Sequence, residues 1–115
     1  MDLHLKDKIA LVTGSSRGLG YATALQLAKE GCKVAINGRD EAKIKSAAER
    51  IQKETSTQVV GLVGDASLPD MPAKLIQQTV EAFGGMDILI TNTGGPKPGA
   101  IEALDEDAWQ KGVDL

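Results

Sequence analysis

The sequence predicts a doubly wound α/β fold, in which helices cover both faces of a parallel β-sheet. Short, continuously apolar runs alternate along the chain with longer amphipathic ones. The short runs lack the apolar–polar alternation of a half-exposed strand, which favours a sheet that is buried on both faces. The predicted order is therefore β-α-β-α-β-α-β-α. The 115 residues correspond to one domain, residues 1–115.

The first half of the chain contains two predicted strand–helix pairs. The first strand is Ile9–Val12, and the helix after it covers Leu19–Glu30 and stops at Gly31. The apolar face predicted for this helix consists of Leu19, Ala22, Leu25 and Ala28. The second strand is Val34–Ile36, and Asp40 is predicted to cap the second helix. Apolar side chains recur in that helix at i, i+3, i+4 and i+7, namely Ile44, Ala47, Ala48 and Ile51.

The second half of the chain repeats this alternation. A third strand is predicted at Val59–Val63, and a third helix at Pro69–Phe83 ends at two glycines. The side chains of this helix that are predicted to point inward are Leu75, Ile76, Thr79, Val80 and Phe83. The fourth strand is Ile88–Ile90, and Asp105 is predicted to begin a last helix.

Composition restricts the classes of partner. Thirteen Lys and Arg residues against sixteen Asp and Glu residues give a net charge of −3, which disfavours a nucleic-acid backbone as a partner. A single cysteine, Cys32, and a single histidine, His4, exclude an intrachain disulfide and a Cys/His metal site; Cys32 is expected to be a small packing residue. No apolar run approaches the roughly 20 residues that span a membrane. We therefore expect a cytoplasmic protein that binds no metal, nucleic acid or membrane.

A glycine-rich segment, Thr13-Gly14-Ser15-Ser16-Arg17-Gly18-Leu19-Gly20, joins the first strand to the first helix. Gly14 would let the chain turn sharply, Gly18 would let backbone approach a ligand, and Gly20 would let the helix pack closely on the sheet. The free N–H groups and the positive dipole end of the helix suit a pyrophosphate. The spacing G-x-x-x-G-x-G differs from G-x-G-x-x-G and from a P-loop. The alternative is a tight turn that binds nothing.

The end of the second strand bears on the type of dinucleotide. A strand that binds NAD usually ends near an acid that accepts hydrogen bonds from the ribose hydroxyls. Here Gly38 occupies the expected place of the acid, and Arg39 follows it. Arg39 and Arg17 of the glycine-rich segment would bind a 2′-phosphate from two sides. We therefore expect NADP(H) to be preferred over NAD(H). In the alternative, Arg39 is a solvated charge and Asp40 supplies the acid.

Three segments together resemble the short-chain dehydrogenase/reductase family: Thr13-Gly14-x-x-x-Gly18-x-Gly20, Gly64-Asp65-Ala66, and Asp87-Ile-Leu-Ile-Thr-Asn92-Thr-Gly94. The resemblance covers all 115 residues, and the bacterial 3-oxoacyl-acyl carrier protein reductase branch is the nearest look-alike. It implies a Rossmann-type sheet of strand order 3-2-1-4. It also implies an NADP(H)-dependent oxidoreductase that acts on a carbonyl or alcohol substrate and is a homo-oligomer, dimer or tetramer, at full length.

The resemblance implies a cofactor-binding role for residues of these segments. Asp65 would bond the adenine amino group beside the Ala66 amide. The residues that would line the phosphates and ribose are Ser16, Arg17 and Leu19. Asn92 and Gly94 would border the adenosine and stabilise the central sheet. The whole predicted cofactor set is Gly14, Ser15, Ser16, Arg17, Gly18, Leu19, Gly20, Gly38, Arg39, Asp65, Ala66, Asn92 and Gly94. The alternative for Asp65 is a turn or cap, and the alternative for Asn92 is a structural side chain.

The chain departs from the family pattern in two places. Thr91 and Thr93 replace an Asn and an Ala of the Asn-Asn-Ala-Gly sequence that is common at the fourth strand. Asp114 stands where the family places an Asn that supports a proton relay, and a surface Asp is the alternative. The family's chemistry also requires a Tyr four residues before a Lys, but the one tyrosine, Tyr21, is followed by Leu25. No catalytic dyad is therefore predicted.

The missing dyad leads to an expectation about the chain as a whole. We expect an N-terminal portion of a reductase (a gene fragment, a cleaved product or the ordered part of a longer chain) that binds nucleotide weakly and catalyses nothing alone. One alternative is a truncated paralogue that acts as a nucleotide-binding or interaction module. Another is a different α/β nucleotide binder, such as an S-adenosylmethionine methyltransferase.

Overall fold

The computed structural model describes residues 5–15 and 18–91, and these residues form four strands and three helices. In chain order the elements are β1 (Ile9–Val12), α1 (Gly18–Lys29), β2 (Lys33–Gly38), α2 (Glu41–Thr55), β3 (Val59–Val63), α3 (Met71–Phe83) and β4 (Ile88–Ile90). The alternation predicted from the apolar runs is confirmed over these residues. The helix predicted from Asp105 lies outside the described residues.

The four strands form one parallel sheet in the order β3-β2-β1-β4, which confirms the predicted order 3-2-1-4. In the register, Ala10 of β1 lies between Val34 of β2 and Ile88 of β4, and Val34 pairs in turn with Val59 of β3. All strands point the same way, so the loops that follow β1, β2 and β3 begin at the same end of the sheet, where ligands bind in open α/β folds.

Helices cover both faces of the sheet. α1 and α2 pack on one face against a core that includes Val12, Val34, Ile36, Ile44 and Ile51. α3 packs on the other face against Leu11, Ala35, Leu75 and Leu89. β2 contributes side chains to both cores, which explains why the strand is apolar without alternation. Burial of each large aliphatic side chain contributes about 1.5–3 kcal/mol relative to exposure.

The buried face of α1 differs from the predicted one. The residues that pack inward are the small ones, Gly20, Ala24 and Ala28. Leu19 is 57% exposed and Ala22 is exposed, while Leu25 is partly buried. The predicted apolar face was therefore wrong except for Ala28 and part of Leu25. Small side chains let the helix backbone lie close to the sheet, so close packing determines this face instead of hydrophobicity.

α3 also departs from its prediction. The helix begins at Met71, two residues after the predicted start at Pro69. Leu75 and Thr79 are buried as predicted, and Ile76 and Phe83 pack partly buried against the same core. Val80, which was predicted to point inward, is 42% exposed. The fully buried row of α3 is the narrow one at i and i+4, and Val80 lies beside that row.

Candidate nucleotide-binding site

Three loops at the carboxyl end of the sheet carry the predicted site residues that the structure describes. The loop after β1 holds Gly14 and Ser15 and leads into Gly18 at the start of α1. The loop after β2 starts at Arg39, and the loop after β3 holds the segment 64–66. The other predicted residues, Ser16, Arg17, Asn92, Gly94 and Asp114, lie outside the described residues.

The described part of the turn between β1 and α1, residues 13–15 and 18, has two glycines in a backbone conformation that other residues rarely adopt. Gly14 has a φ of 59° and Gly18 a φ of 68°. A Cβ atom added at Gly18 would meet no atom of residues 5–15 and 18–91 within 4 Å. Because α1 begins at Gly18, the N–H groups of its first turn, which have no acceptor within the helix, lie close to this residue. Gly18 itself adds no side chain beside these backbone donors.

The two residues after Gly18 lie in different environments. Leu19 is exposed at the first turn of α1, where a ligand can contact it. Gly20 is buried, as the prediction of close helix–sheet packing requires. The start of α1 thus has a buried residue without a side chain on one side and, among the described residues, an exposed Leu19 on the other.

Ser15 is fully buried, and its hydroxyl makes hydrogen bonds inside the protein. The Oγ atom donates to the carbonyl of Val12 at 2.7 Å and accepts from the backbone N–H of Asn37 at 2.9 Å. The Ser15 backbone N–H donates to the Asn37 carbonyl at 2.7 Å. The side chain therefore shapes the turn between β1 and α1 from within.

The Asn37 side chain, on β2, joins the turn after β1 to the end of β3 and to the loop that follows β3. It is 1% exposed, and its Oδ1 accepts from the Gly14 N–H at 3.2 Å. Its Nδ2 donates to the carbonyls of Leu62 at 3.1 Å and Gly64 at 3.0 Å. This role of Asn37 was not predicted from the sequence. The sequence does show a polar amide near the end of an otherwise apolar strand. A buried amide at such a position requires hydrogen-bond partners inside the protein.

β2 ends without an acid. The strand continues to Gly38, two residues beyond its predicted end, and the Gly38 carbonyl accepts from the Gly64 N–H at 3.0 Å. Arg39 follows and is exposed. The Oδ1 atom of Asp40 accepts from the Lys43 backbone N–H at 3.0 Å, which confirms that Asp40 caps α2. The residue that directly follows the strand is thus a cation.

Asp65 forms a turn immediately after Gly64. Its Oδ1 accepts hydrogen bonds from the Ser67 hydroxyl at 2.6 Å and the Ser67 backbone N–H at 3.0 Å. These bonds lower the pKa of the Asp65 carboxyl below its ordinary value, and the charge of Arg39 lowers this pKa further. The turn-forming alternative is therefore supported, and the carboxylate is fixed and ionised. The neighbouring Ala66 packs partly buried against the α3 core.

Cys32 lies at the opposite end of β2 from these loops. It is fully buried, and its Sγ atom lies 3.4 Å from the Leu5 carbonyl. Burial raises the pKa of the thiol, with smaller contributions from the charges of Glu30 and Asp87. These properties fit the packing role predicted for this residue, since a raised pKa disfavours the reactive thiolate.

Residues 5–15 and 18–91 also bear on two other kinds of site, a metal centre and a membrane-spanning helix. No group of three or more His, Cys, Asp or Glu side chains in these ranges is arranged to hold a metal ion. No helix within the same ranges has both the length and the apolar character needed to cross a membrane.

The fold and the site together define a Rossmann-type, nucleotide-binding α/β protein. A sequence profile of the family described as short chain dehydrogenase matches residues 8–115. The chain therefore belongs to the short-chain dehydrogenase/reductase family, as the three sequence segments indicated.

Two curated relatives and one solved structure illustrate the similarity. A glucose 1-dehydrogenase of Gluconobacter oxydans is 40% identical over 103 residues, which are 86% of this chain and 39% of that protein. A 3-oxoacyl-[acyl-carrier-protein] reductase of Chlamydia muridarum is 32% identical over 114 residues, 99% of this chain and 46% of that protein. The L-sorbose reductase of Gluconobacter frateurii, solved with NADPH and L-sorbose, is 30% identical with a TM-score of 0.79, covering 96% of this chain and 42% of that one.

The chain covers only part of each of these relatives. The chain spans less than half the length of these curated relatives. The structural match likewise covers under half of the solved protein.

Proposed function

We propose that this chain is the cofactor-binding part of an NADP(H)-dependent oxidoreductase that interconverts a carbonyl and an alcohol. The observation that carries the proposal is the arrangement at the carboxyl end of the sheet. The turn between β1 and α1, with Gly14 and Gly18 in the left-handed region, is hydrogen-bonded to β2, and β2 ends at Gly38 and is followed by Arg39 instead of an acid.

In this proposal the turn between β1 and α1 holds the diphosphate. The amides at the start of α1, with Ser16 and Arg17 before them, would donate to the phosphate oxygens, and the positive end of the helix dipole favours their charge. Gly14 and Gly18 allow the required backbone path, and Leu19 contacts the ribose from the exposed first turn. Ser15 and Gly20 act from inside, one by shaping the turn and the other by seating the helix.

The preference for NADP(H) depends on the end of β2. Arg39 and Arg17 would bind the 2′-phosphate, and a guanidinium group offers paired donors for phosphate oxygens. Gly38 has no side chain at the position where an acid would meet the ribose of NAD. Asp40 does not replace that acid in the proposal, because its carboxylate caps α2.

The adenine end lies at the loop after β3 in this proposal. Ser67 holds Oδ1 of the Asp65 carboxylate, and the proposal assigns Oδ2 to the adenine amino group, beside the Ala66 amide. Asn92 and Gly94 would border the adenosine from the fourth strand. When bound, the nicotinamide of the cofactor supplies the hydride, and residues of this chain hold the remainder of the molecule.

Catalysis is assigned to the rest of the protein, because these 115 residues contain no Tyr-x-x-x-Lys sequence. The substrate class, a small carbonyl or alcohol compound, is supported by the names of the relatives, which mention glucose, L-sorbose and a 3-oxoacyl-[acyl-carrier-protein]. The branch of 3-oxoacyl-acyl carrier protein reductases, a cytoplasmic location and a dimer or tetramer at full length complete the proposal. Asp114 would lie near the relay of such a protein.

Isothermal titration calorimetry of the 115-residue chain tests the proposal with three ligands: NADPH, NADH and S-adenosylmethionine. We expect binding of NADPH, weaker binding of NADH and no heat from S-adenosylmethionine. Oxidation of NADPH, followed with acetoacetyl and aldose substrates, should be absent for the isolated chain. A chain that binds S-adenosylmethionine, or neither dinucleotide, would contradict the proposed function.

A further inference from the structure

We infer that Asn37 is a positioning residue that fixes the three cofactor-binding loops relative to one another, so that its loss weakens dinucleotide binding beyond its effect on folding. The inference rests on the proposed function, because it assigns the loops to one ligand. It concerns a buried residue that would itself touch no part of the cofactor.

The side-chain hydrogen bonds of Asn37 reach one residue of the first loop, one residue near the end of β3 and one residue of the loop after β3. Oδ1 accepts from Gly14, where the chain turns off β1. Nδ2 donates to Leu62 and to Gly64, the residue that precedes Asp65. The backbone of Asn37 leads directly into Gly38 and Arg39. One amide therefore connects the proposed diphosphate, 2′-phosphate and adenine contacts.

Few other side chains can make this set of bonds. The site requires one acceptor for Gly14 and two donors for the carbonyls of Leu62 and Gly64, and a carboxamide carries both functions in one plane. An aspartate would keep the acceptor but would direct its second oxygen at two carbonyls. A serine is too short to reach all three groups. The residue is nearly inaccessible to solvent, so unpaired groups here would be costly.

Tight binding requires that all three loops hold their contacts at once. A dinucleotide that touches three loops loses affinity when the loops must be rearranged on binding, because the ordering cost is then deducted from the binding free energy. A residue that only stabilised the fold would lower the melting temperature and leave the dissociation constant of the folded protein unchanged. A positioning role therefore predicts a change in the dissociation constant, whereas a purely stabilising role predicts a change in melting temperature alone.

The test compares Asn37→Ser with the matched control Thr57→Val in the 115-residue chain. Thr57 Oγ1 donates to the Ala28 carbonyl at 3.0 Å, so it also joins two segments through a side-chain hydrogen bond, but at the amino end of β3. Calorimetric Kd values for NADPH are measured at a temperature where circular dichroism shows each protein to be folded. We expect Asn37→Ser to raise Kd about tenfold and Thr57→Val less than about twofold.

A second measurement needs no variant and applies if Asn37→Ser fails to fold. Hydrogen exchange of the unmodified chain is followed with and without saturating NADPH. We expect the amides of Ser15, Asn37 and Gly64 to become protected together, while the Lys33 amide, which donates to the Lys8 carbonyl at 2.8 Å at the other end of the sheet, changes less.

The outcomes separate the inference from the proposed function. Equal Kd values for Asn37→Ser and Thr57→Val would overturn the inference, as would protection confined to Ser15. If the unmodified chain binds NADPH, the proposed function still stands after either of these two outcomes. An unmodified chain that binds no dinucleotide overturns both.

Discussion

Ser15 and Asn37 are joined by hydrogen bonds in both directions: the Asn37 N–H donates to Ser15 Oγ at 2.9 Å, and the Ser15 N–H donates to the Asn37 carbonyl at 2.7 Å. This pair extends the connection between β1 and β2 past the point where β1 ends. The turn after β1 is therefore shaped by the protein itself, which lowers the ordering cost of binding a ligand there.

Replacement of Ser15 by alanine tests how much this pair stabilises the turn. Ser15→Ala removes the partner of the Val12 carbonyl and of the Asn37 N–H in a fully buried position. We expect the free energy of unfolding to fall by about 1–3 kcal/mol. Urea denaturation measures it, with the exposed Ser46→Ala on α2 as control. Equal stability of the two variants would contradict the role given to Ser15.

Gly18 and Gly84 allow a matched comparison of strain and binding. Both have positive φ, 68° and 89°, and at both an added Cβ would meet none of the residues that the structure describes within 4 Å. Gly18→Ala and Gly84→Ala should therefore each cost about 1–2 kcal/mol of stability. Only Gly18→Ala should weaken NADPH binding, because its Cβ would project beside the start of α1. Unchanged affinity in a folded Gly18→Ala protein would show that the ligand does not approach this turn.

Charge reversal at Arg39 tests the cofactor preference. Arg39→Asp should weaken NADPH binding far more than NADH binding, because only NADPH carries the 2′-phosphate. Calorimetry with both dinucleotides measures the two dissociation constants. Lys74→Asp, an exposed change on α3, controls for the change in net charge. Equal losses for the two dinucleotides would refute the assignment of Arg39.

Ser67 controls the ionisation of Asp65. The two bonds from Ser67 to Oδ1 stabilise the carboxylate and lower its pKa, with a smaller contribution from Arg39. Ser67→Ala removes the hydroxyl, so the pKa of Asp65 should rise toward its ordinary value, as followed by carboxyl NMR shifts. Because the pKa of Asp65 is lower in the folded state than in the unfolded state, its ionisation stabilises the fold at pH values above the unfolded-state pKa. This stabilisation is lost as the pH falls through the folded-state pKa. An unchanged Asp65 titration in Ser67→Ala would contradict this account.

The sequence was sufficient for features that depend on local pattern. Continuously apolar runs located the four strands, and the Asp40 cap followed from a residue type at a helix start. The resemblance to a family supplied the strand order. The buried face of α1 was mispredicted because Gly20 and Ala24 pack through their small size, which a hydrophobicity pattern does not register.

The role of Asn37 depends on contacts that no local pattern contains. Its partners Gly14 and Leu62 lie 23 and 25 residues away in the chain and meet it only when the parallel sheet has formed. The exposure of Val80 has a similar origin, since the width of the buried row on α3 is determined by the surface on which the helix packs. Such features emerge from tertiary packing.

An NMR titration of the ¹⁵N-labelled chain with NADPH tests the central claim most directly. We expect the largest amide shift changes in residues 14–20, at Arg39 and at residues 65–66, with little change at the amino end of the sheet around Cys32. Binding that shifts amides elsewhere, or unchanged spectra at saturating NADPH, would contradict the claim that the turn after β1 and the end of β2 together hold the dinucleotide.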